Sequence, residues 1–148
     1  MSQQQVSIQQ TRPLTVNLLI GAILVQGLSG VAGGIGLVFD PSGESLGIPS
    51  SWLAGSPFAD YLIPGVILLV VLGIVPLADL YGLWTRRYWG WLGALLIGFA
   101  LLVWIGVEIL IIGYQPQPPL QLIYGLLGIV TIILALLPGV RAYFSRQS

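Results

Sequence analysis

The chain has no cysteine and no histidine. Disulfides, thiol chemistry, Cys/His zinc sites, histidine-ligated haem and imidazole acid–base catalysis are excluded in one step. Charge is almost as scarce. Of 148 residues, five are basic and five acidic, a charged fraction of 7% with zero net charge; ordinary soluble domains carry about 25%. So few charged side chains cannot cover a water-facing surface, and lipid is the expected solvent for much of the chain. Zero net charge offers no bulk attraction for nucleic acid, which is not expected as a partner. Without His or Cys ligands, no metal and no cofactor is expected either.

What the chain has instead is long apolar runs, hydrophobic residues making up 56% of it. The most informative run is 88–113, YWGWLGALLIGFALLVWIGVEILIIG, which opens on Trp89 and Trp91 and carries one carboxylate, Glu108, near its far end. About 20 apolar residues at 1.5 Å rise cover a hydrocarbon core of ~30 Å, so such a run reads as a membrane-spanning helix. With the third span at 89–113, the other runs give spans at 14–39, 62–80 and 120–137. A Gln-rich leader, 1–13, precedes one transmembrane domain, 14–140, and a polar tail, 141–148, follows it. The first run is of full length and reads as an uncleaved anchor. Asp40-Pro41-Ser42-Gly43 is a turn signal that ends it, and Asp60 is placed to cap the second span. Gln115-Pro116-Gln117-Pro118-Pro119 is a stiff connector; rigid hairpin geometry explains its PxxP pattern better than peptide recognition. The expected fold is all-α and integral to the membrane: a four-transmembrane-helix bundle with a long outer loop between helices one and two.

Every basic residue falls on one side of this layout: Arg12 before the first span, Arg86 and Arg87 between the second and third, Arg141 and Arg146 after the fourth. The positive-inside rule puts both termini and the Arg86-Arg87 turn in the cytoplasm of a cell that carries the chain in its plasma or inner membrane. Tyr81, Trp84, Tyr88, Trp89 and Trp91 form an inner aromatic belt, and Trp52, Phe58, Tyr61 and Tyr114 an outer one. Two arginines beside aromatics in a tight turn read as an anchor in the lipid headgroups. Asp79, one turn beyond Pro76, is expected to pair with Arg86 or Arg87. The loop over 40–60 is long for a small bundle and too apolar for a plain linker. Its Pro49-Ser50-Ser51-Trp52-Leu53-Ala54 segment reads as a capped helical turn at the interface. It is either a lid over a lateral pocket or a loop packed on the outer end.

Ser29-Gly30-Val31-Ala32-Gly33-Gly34-Ile35-Gly36 matches the glycine pattern of short-chain dehydrogenases. It lies inside an apolar span with no preceding strand, so the nucleotide reading is rejected. Close helix packing is the physical reading: Gly27, Gly30 and Gly34, with Gln26 beside them, form a face suited to a neighbouring helix. Glu108 lies five residues before Gly113, on the order of 7 Å inside the span. A carboxylate at that depth costs a few kcal/mol unless protonated, paired or hydrated. Heptad stepping back from it gives Trp104, Leu101, Ile97, Ala94 and Gly90, a face suited to the bundle interior. Two readings stay open: a proton, cation or headgroup site, or a protonated Glu bonded to backbone, Tyr124 or Gln121. Asp40, Glu44 and Asp60 are outer acids that, with Glu108, are candidates for an acidic mouth.

Leu19-Ile20-Gly21 through Gly27 and Gly30, Asp40-Pro41 at the exit of the first span, and Pro64-Gly65 through Leu72-Gly73 in the second resemble the DoxX-type family of small bacterial membrane proteins. The resemblance covers the first half of the chain and implies a four-helix membrane protein with a long first outer loop. Family members carry a Lys near the end of the first helix and a Glu early in the second. This chain has Gly34-Ile35-Gly36-Leu37 and Val66-Ile67-Leu68 there, so no functional residue is carried over. The absence of cysteine argues against the thiol or sulfur redox work of some relatives.

Two functions are expected. The first is a structural or accessory membrane protein that packs into a larger complex, or into a homo-oligomer, through its glycine-rich face. The alternative is a binding or transport module in the bilayer, with Glu108, Trp104, Tyr124, Trp52 and the outer loop framing a site for a lipid-like ligand or protons. An enzyme is not expected, because the acids lack the pairing that acid–base work requires.

Overall fold

The computed structural model describes residues 11–145; most of the leader, 1–10, and the end of the tail with Arg146 lie outside the described residues. Among the described residues every regular element is helical. Three helices are long and apolar enough to cross a bilayer: α1 (Leu14–Phe39), α2 (Leu62–Trp84) and α3 (Tyr88–Ile112). A fourth, α4 (Leu120–Leu136), leads through Leu137 into α5 (Pro138–Ser145), bent from it by 61°. Taken as one broken span, that pair makes four. The helices touch in ring order, α1 most closely along α2 and α3 along α4, while α1 and α3 barely meet across the ring.

The helix ends follow from local chemistry. Pro13 precedes α1 and its carbonyl accepts from Val16 N at 3.0 Å. Beyond Phe39, Asp40 gathers the turn: Oδ1 accepts from the Ser42 hydroxyl at 2.5 Å and Oδ2 from Ser45 N at 2.8 Å. Those bonds, the Ser42 hydroxyl first and the Ser45 amide next, hold the Asp40 carboxyl below its ordinary range. Gly43 takes a left-handed φ of 81° there, a conformation that costs a residue with a Cβ. Asp60 meets the expectation of a cap, its Oδ1 accepting from Leu62 N at 2.9 Å.

α2 continues to Trp84 instead of stopping at Leu80: Gly82 does not break it, because Trp89 and Gly90 of α3 pack directly on that glycine, and the helix ends only at the Arg86 turn. Its middle is not regular: Val70–Ile74 forms a π turn. Pro76 explains this. It has no N–H to give the carbonyl of Leu72, and its ring crowds that carbonyl, so the ladder widens just upstream. The tail was expected to be polar after Pro138-Gly139. Instead, Leu137 turns extended before the proline, as the residue ahead of Pro prefers, and Pro138 opens α5, where a missing N–H costs nothing.

α5 is short, but Val140 and Phe144, one turn apart, are both fully buried. They join Val16, Leu19, Ile23, Leu83, Ala94, Ile97 and Ala135 in a continuous apolar core. This core fills the end of the molecule that carries the arginines. Toward the loop end the buried set thins to Leu72, Leu101 and Ile105. Elsewhere the apolar side chains face outward, Leu96, Phe99 and Val103 of α3 each being more than half exposed. Such a surface is what lipid-facing helices carry and soluble domains avoid.

Candidate functional site

The arginine end is tied together by its own anchors. Arg12 lies 4.2 Å over the Trp84 ring and donates from Nη2 to the Trp84 carbonyl at 3.1 Å. Arg86, held at a left-handed φ of 59°, lies over Tyr143 and donates from Nε to its carbonyl at 2.7 Å. Arg87 is exposed in the same turn, and Arg141 is exposed on α5. The start of α1, the α2–α3 turn and α5 therefore share one end, the one with the basic side chains.

Asp79 does not pair with them. The carboxylate is 5% exposed, Oδ2 has no hydrogen-bond partner, and no ion pair with Arg86 or Arg87 forms. The left-handed turn directs Arg86 to Tyr143, and Asp79 instead points across α2 at Gly93 of α3, where no side chain stands in its way.

The glycine-rich face of α1 is occupied within the chain. A Cβ at Gly27 would fall 2.6 Å from Leu77 Cδ2, and one at Gly34 would fall 2.5 Å from the Leu69 backbone. A Cβ at Gly30 would overlap the Leu72 carbonyl, the group that Pro76 cannot satisfy. The seam is thus a backbone-to-backbone contact between α1 and α2, of the kind small residues permit. With α2 seated on it, this face is not open to a second copy of the chain.

At the loop end the four helices stand apart around a cavity of about 480 Å³, within the usual range for small-molecule sites. α1 lines it with Gln26, Ser29, Gly30, Gly33 and Leu37, a single helical face. α2 contributes Leu68 and Leu72, α3 Leu101, Trp104, Ile105 and Glu108, and α4 Gln121 and Tyr124. Leu46, Ile48, Trp52 and Phe58 of the loop roof it. The four sequence-chosen residues Glu108, Trp104, Tyr124 and Trp52 therefore line one cavity.

Glu108 is positioned by its own helix. Trp104, one turn earlier, donates from Nε1 to Glu108 Oε1 at 2.7 Å. Gln121 faces the same space but is engaged by the connector: Oε1 accepts from Gln115 N at 2.8 Å, and Nε2 donates to Gly113 O at 3.3 Å. The roof is pinned by Tyr61, whose hydroxyl donates to Pro49 O at 2.7 Å and whose amide donates to Pro41 O at 2.9 Å. Burial, and then the charge of Glu108, push the Tyr61 phenol above its ordinary range. The Ser50–Leu53 segment is a 3-10 turn without a side-chain cap, where a capped turn was expected.

Of the outer acids only Glu108 lines the cavity. Asp40 is spent on its turn and Asp60 on the α2 cap, so no acidic mouth assembles. Among the described residues no group of three or more His, Cys, Asp or Glu side chains could hold a metal ion. Gln26 was assigned to packing, and it is buried beside Gly27 as expected. The residue also lines the cavity, but its amide is buried, with neither Oε1 nor Nε2 bonded. An amide in the middle of an apolar span is itself the sequence signal for such a role. No protein-family model matches this chain, and no curated protein and no solved structure is significantly similar to it.

Proposed function

We propose that the chain is a membrane binding module: four spans with both termini in the cytoplasm, and an outer-leaflet cavity that holds a lipid-like ligand. The observation that carries this reading is the convergence of a carboxylate and its Trp104 donor on a largely apolar space of about 480 Å³ under a pinned loop. Apolar walls suit a hydrocarbon chain, and a lone carboxylate near the rim suits a head that donates hydrogen bonds or carries positive charge. α4 and α5 together make the fourth crossing, and the positive-inside rule assigns the arginine end to the cytoplasm. A likeness to DoxX-type proteins enters at the level of layout only, and no site residue is taken from it. A structural or accessory role would have to use a surface other than the Gly27–Gly30–Gly34 seam, which α2 covers.

The test is native mass spectrometry and lipid extraction on the protein purified in mild detergent. A co-purifying amphiphile is expected. It should be lost in Gly33→Leu, whose side chain would enter the cavity past a flexible Leu68, and retained in Gly21→Leu, where a Cβ meets nothing within 4 Å. Equal retention in both variants, or no amphiphile at all, would overturn the reading. Reporter fusions at both ends are expected to read cytoplasmic; a tail reporter active outside would refute the orientation.

A further inference from the structure

The cavity is not walled all round. On one side the upper part of α2 follows α1: a Cβ at Gly65 would fall 2.7 Å from Leu37 Cβ, and one at Gly34 would fall 2.5 Å from the Leu69 backbone. On its other side that stretch leaves α3. No Cα of Leu62–Leu69 lies within 8 Å of a Cα of α3, whereas helices in contact, with axes about 8–10 Å apart, bring some Cα atoms closer than that. Beyond the π turn at Val70–Ile74 the two helices close up, so tightly that a Cβ at Gly90 would overlap the Gly82 backbone. Leu72 clusters with Leu101 and Ile105, so Glu108, one to two turns above them, stands at the height of the gap.

Below the gap the same seam carries an outward-facing groove of about 440 Å³. α2 lines it with Val71 and Val75, α3 with Leu96 and Ala100, and Trp89 stands at its far end. Both stripes continue upward into the cavity: Ile67 is one turn above Val71, and Trp104 one turn above Ala100. A largely apolar track therefore runs from Glu108 through the gap and down the outside, covering ~18 Å by the level of Leu96. The one ionisable side chain in the groove, Asp79, lies against Gly93, below Leu96. In a bilayer such a groove does not stay empty. A void forfeits dispersion contacts and water finds no partners on apolar walls, so hydrocarbon fills it. Charge favours an amine at the top of the track. No Lys or Arg stands between Arg12 and Arg86 or between Arg87 and Arg141, so nothing basic in the cavity competes for Glu108. Its Oε1 accepts from Trp104, and the carboxylate has further acceptor capacity.

We infer that the gap between α2 and α3 is a lateral portal for a long-chain amine lipid of the loop-side leaflet. The amine head donates to Glu108 inside the cavity, and the chain passes out through the gap and lies in the groove of Val71, Val75, Leu96 and Ala100. Head toward the loops and chain toward the midplane is the direction a lipid of that leaflet already has, so it enters sideways without turning over. This inference rests on the lipid-binding reading above and adds the route of entry, the resting place of the chain and the amine. The cavity holds the head alone, so its volume sets no limit on chain length.

The experiment uses the full chain in phosphatidylcholine vesicles. Hexadecylamine carrying a photoactivatable diazirine, either beside the head or near the end of the chain, is cross-linked to it and the adducts are mapped by mass spectrometry. The head-end probe is expected to label Leu101, Trp104 and Ile105 of the cavity. The tail-end probe is expected to label Val71, Val75, Leu96 and Ala100 in preference to Val70, Phe99 and Val103, which are exposed but line neither hollow. Val71→Phe should abolish the tail adducts on Leu96 and Ala100, and Val70→Phe, at a neighbour of equal exposure, should keep them. Head-end labelling of the cavity with tail adducts confined to it, spread evenly over the lipid-facing residues or unchanged in Val71→Phe would overturn the portal and leave the lipid site standing. No head-end labelling of the cavity would also overturn it; an amphiphile co-purifying with the same preparation would then keep the lipid reading with a different head, and without one both proposals would fall.

Discussion

Two glycine-to-alanine substitutions in the same helix should have opposite effects. At Gly21 a Cβ meets nothing within 4 Å, so the change reports helix propensity alone, worth up to about 1 kcal/mol in favour of alanine. At Gly30 the new Cβ would overlap the Leu72 carbonyl. That oxygen belongs to main chain, so no rotamer change relieves the clash. α1 and α2 must separate by about 1 Å to restore an ordinary C···O contact of ~3.3 Å. Overpacking of this kind costs about 1–3 kcal/mol, and the same propensity gain offsets part of it. Because that gain is common to both, the two variants should differ by the overpacking cost, about 1–3 kcal/mol, or roughly 2–12 °C in thermal midpoint for a chain of this size. Tryptophan-monitored unfolding of both variants in one detergent measures the gap directly. A Gly30→Ala protein as stable as Gly21→Ala would mean that α1 and α2 do not meet through this seam, and the cavity walls built on it would be misplaced.

Asp79 is buried and its Oδ2 has no hydrogen-bond partner, so Asp79→Leu, which has the same number of side-chain heavy atoms, should raise stability by about 1–3 kcal/mol. A less stable variant would show that the carboxylate has an attractive partner. Tyr61→Phe leaves Pro49 O without its donor and should loosen the roof by about 1 kcal/mol, read as faster proteolysis or hydrogen exchange across 50–58; unchanged exchange would refute the pin. The Asp40 turn should depend on pH. Because the folded carboxyl is held below its ordinary value of 3.8, its contribution is fully present above that value and is lost as pH falls through the lower folded one. Protection of the Ser45 amide should therefore persist near the ordinary value and collapse only in stronger acid, and Asp40→Asn should remove that dependence.

The long helical segments could be read directly from the sequence, because each is a run of apolar residues bounded by Pro, Gly, Asp or the Arg86-Arg87 pair. The link between Trp104 and Glu108 was readable too, since four residues on a helix bring two side chains together. What could not be read was which helix sits on which face. Gly27, Gly30 and Gly34 announced a close neighbour, but nothing in them says that it is α2, whose Leu77, Leu72 and Leu69 they meet only in the folded chain. Asp79 went astray for a related reason. Sequence distance places Arg86 within reach, whereas the left-handed turn sends that side chain to Tyr143, on a helix hidden in a tail that looked merely polar. Val140 and Phe144 are the only buried residues of that helix, and two positions are too few to register as a period.

Gly30 locks α1 to α2, and Gly98 and Gly128 lock α3 to α4, where a Cβ on either would lie 3.3 Å from the other's carbonyl. Neither pair can slide or splay within itself. The arginine end joins the pairs through α5 and the Arg86 clasp on Tyr143, while at the other end the roof loop reaches across to α3. The molecule is built like tweezers, with two stiff arms, a fulcrum beneath and tips above. Its hollow can widen only by parting the arms, so whatever occupies it is gripped from the sides.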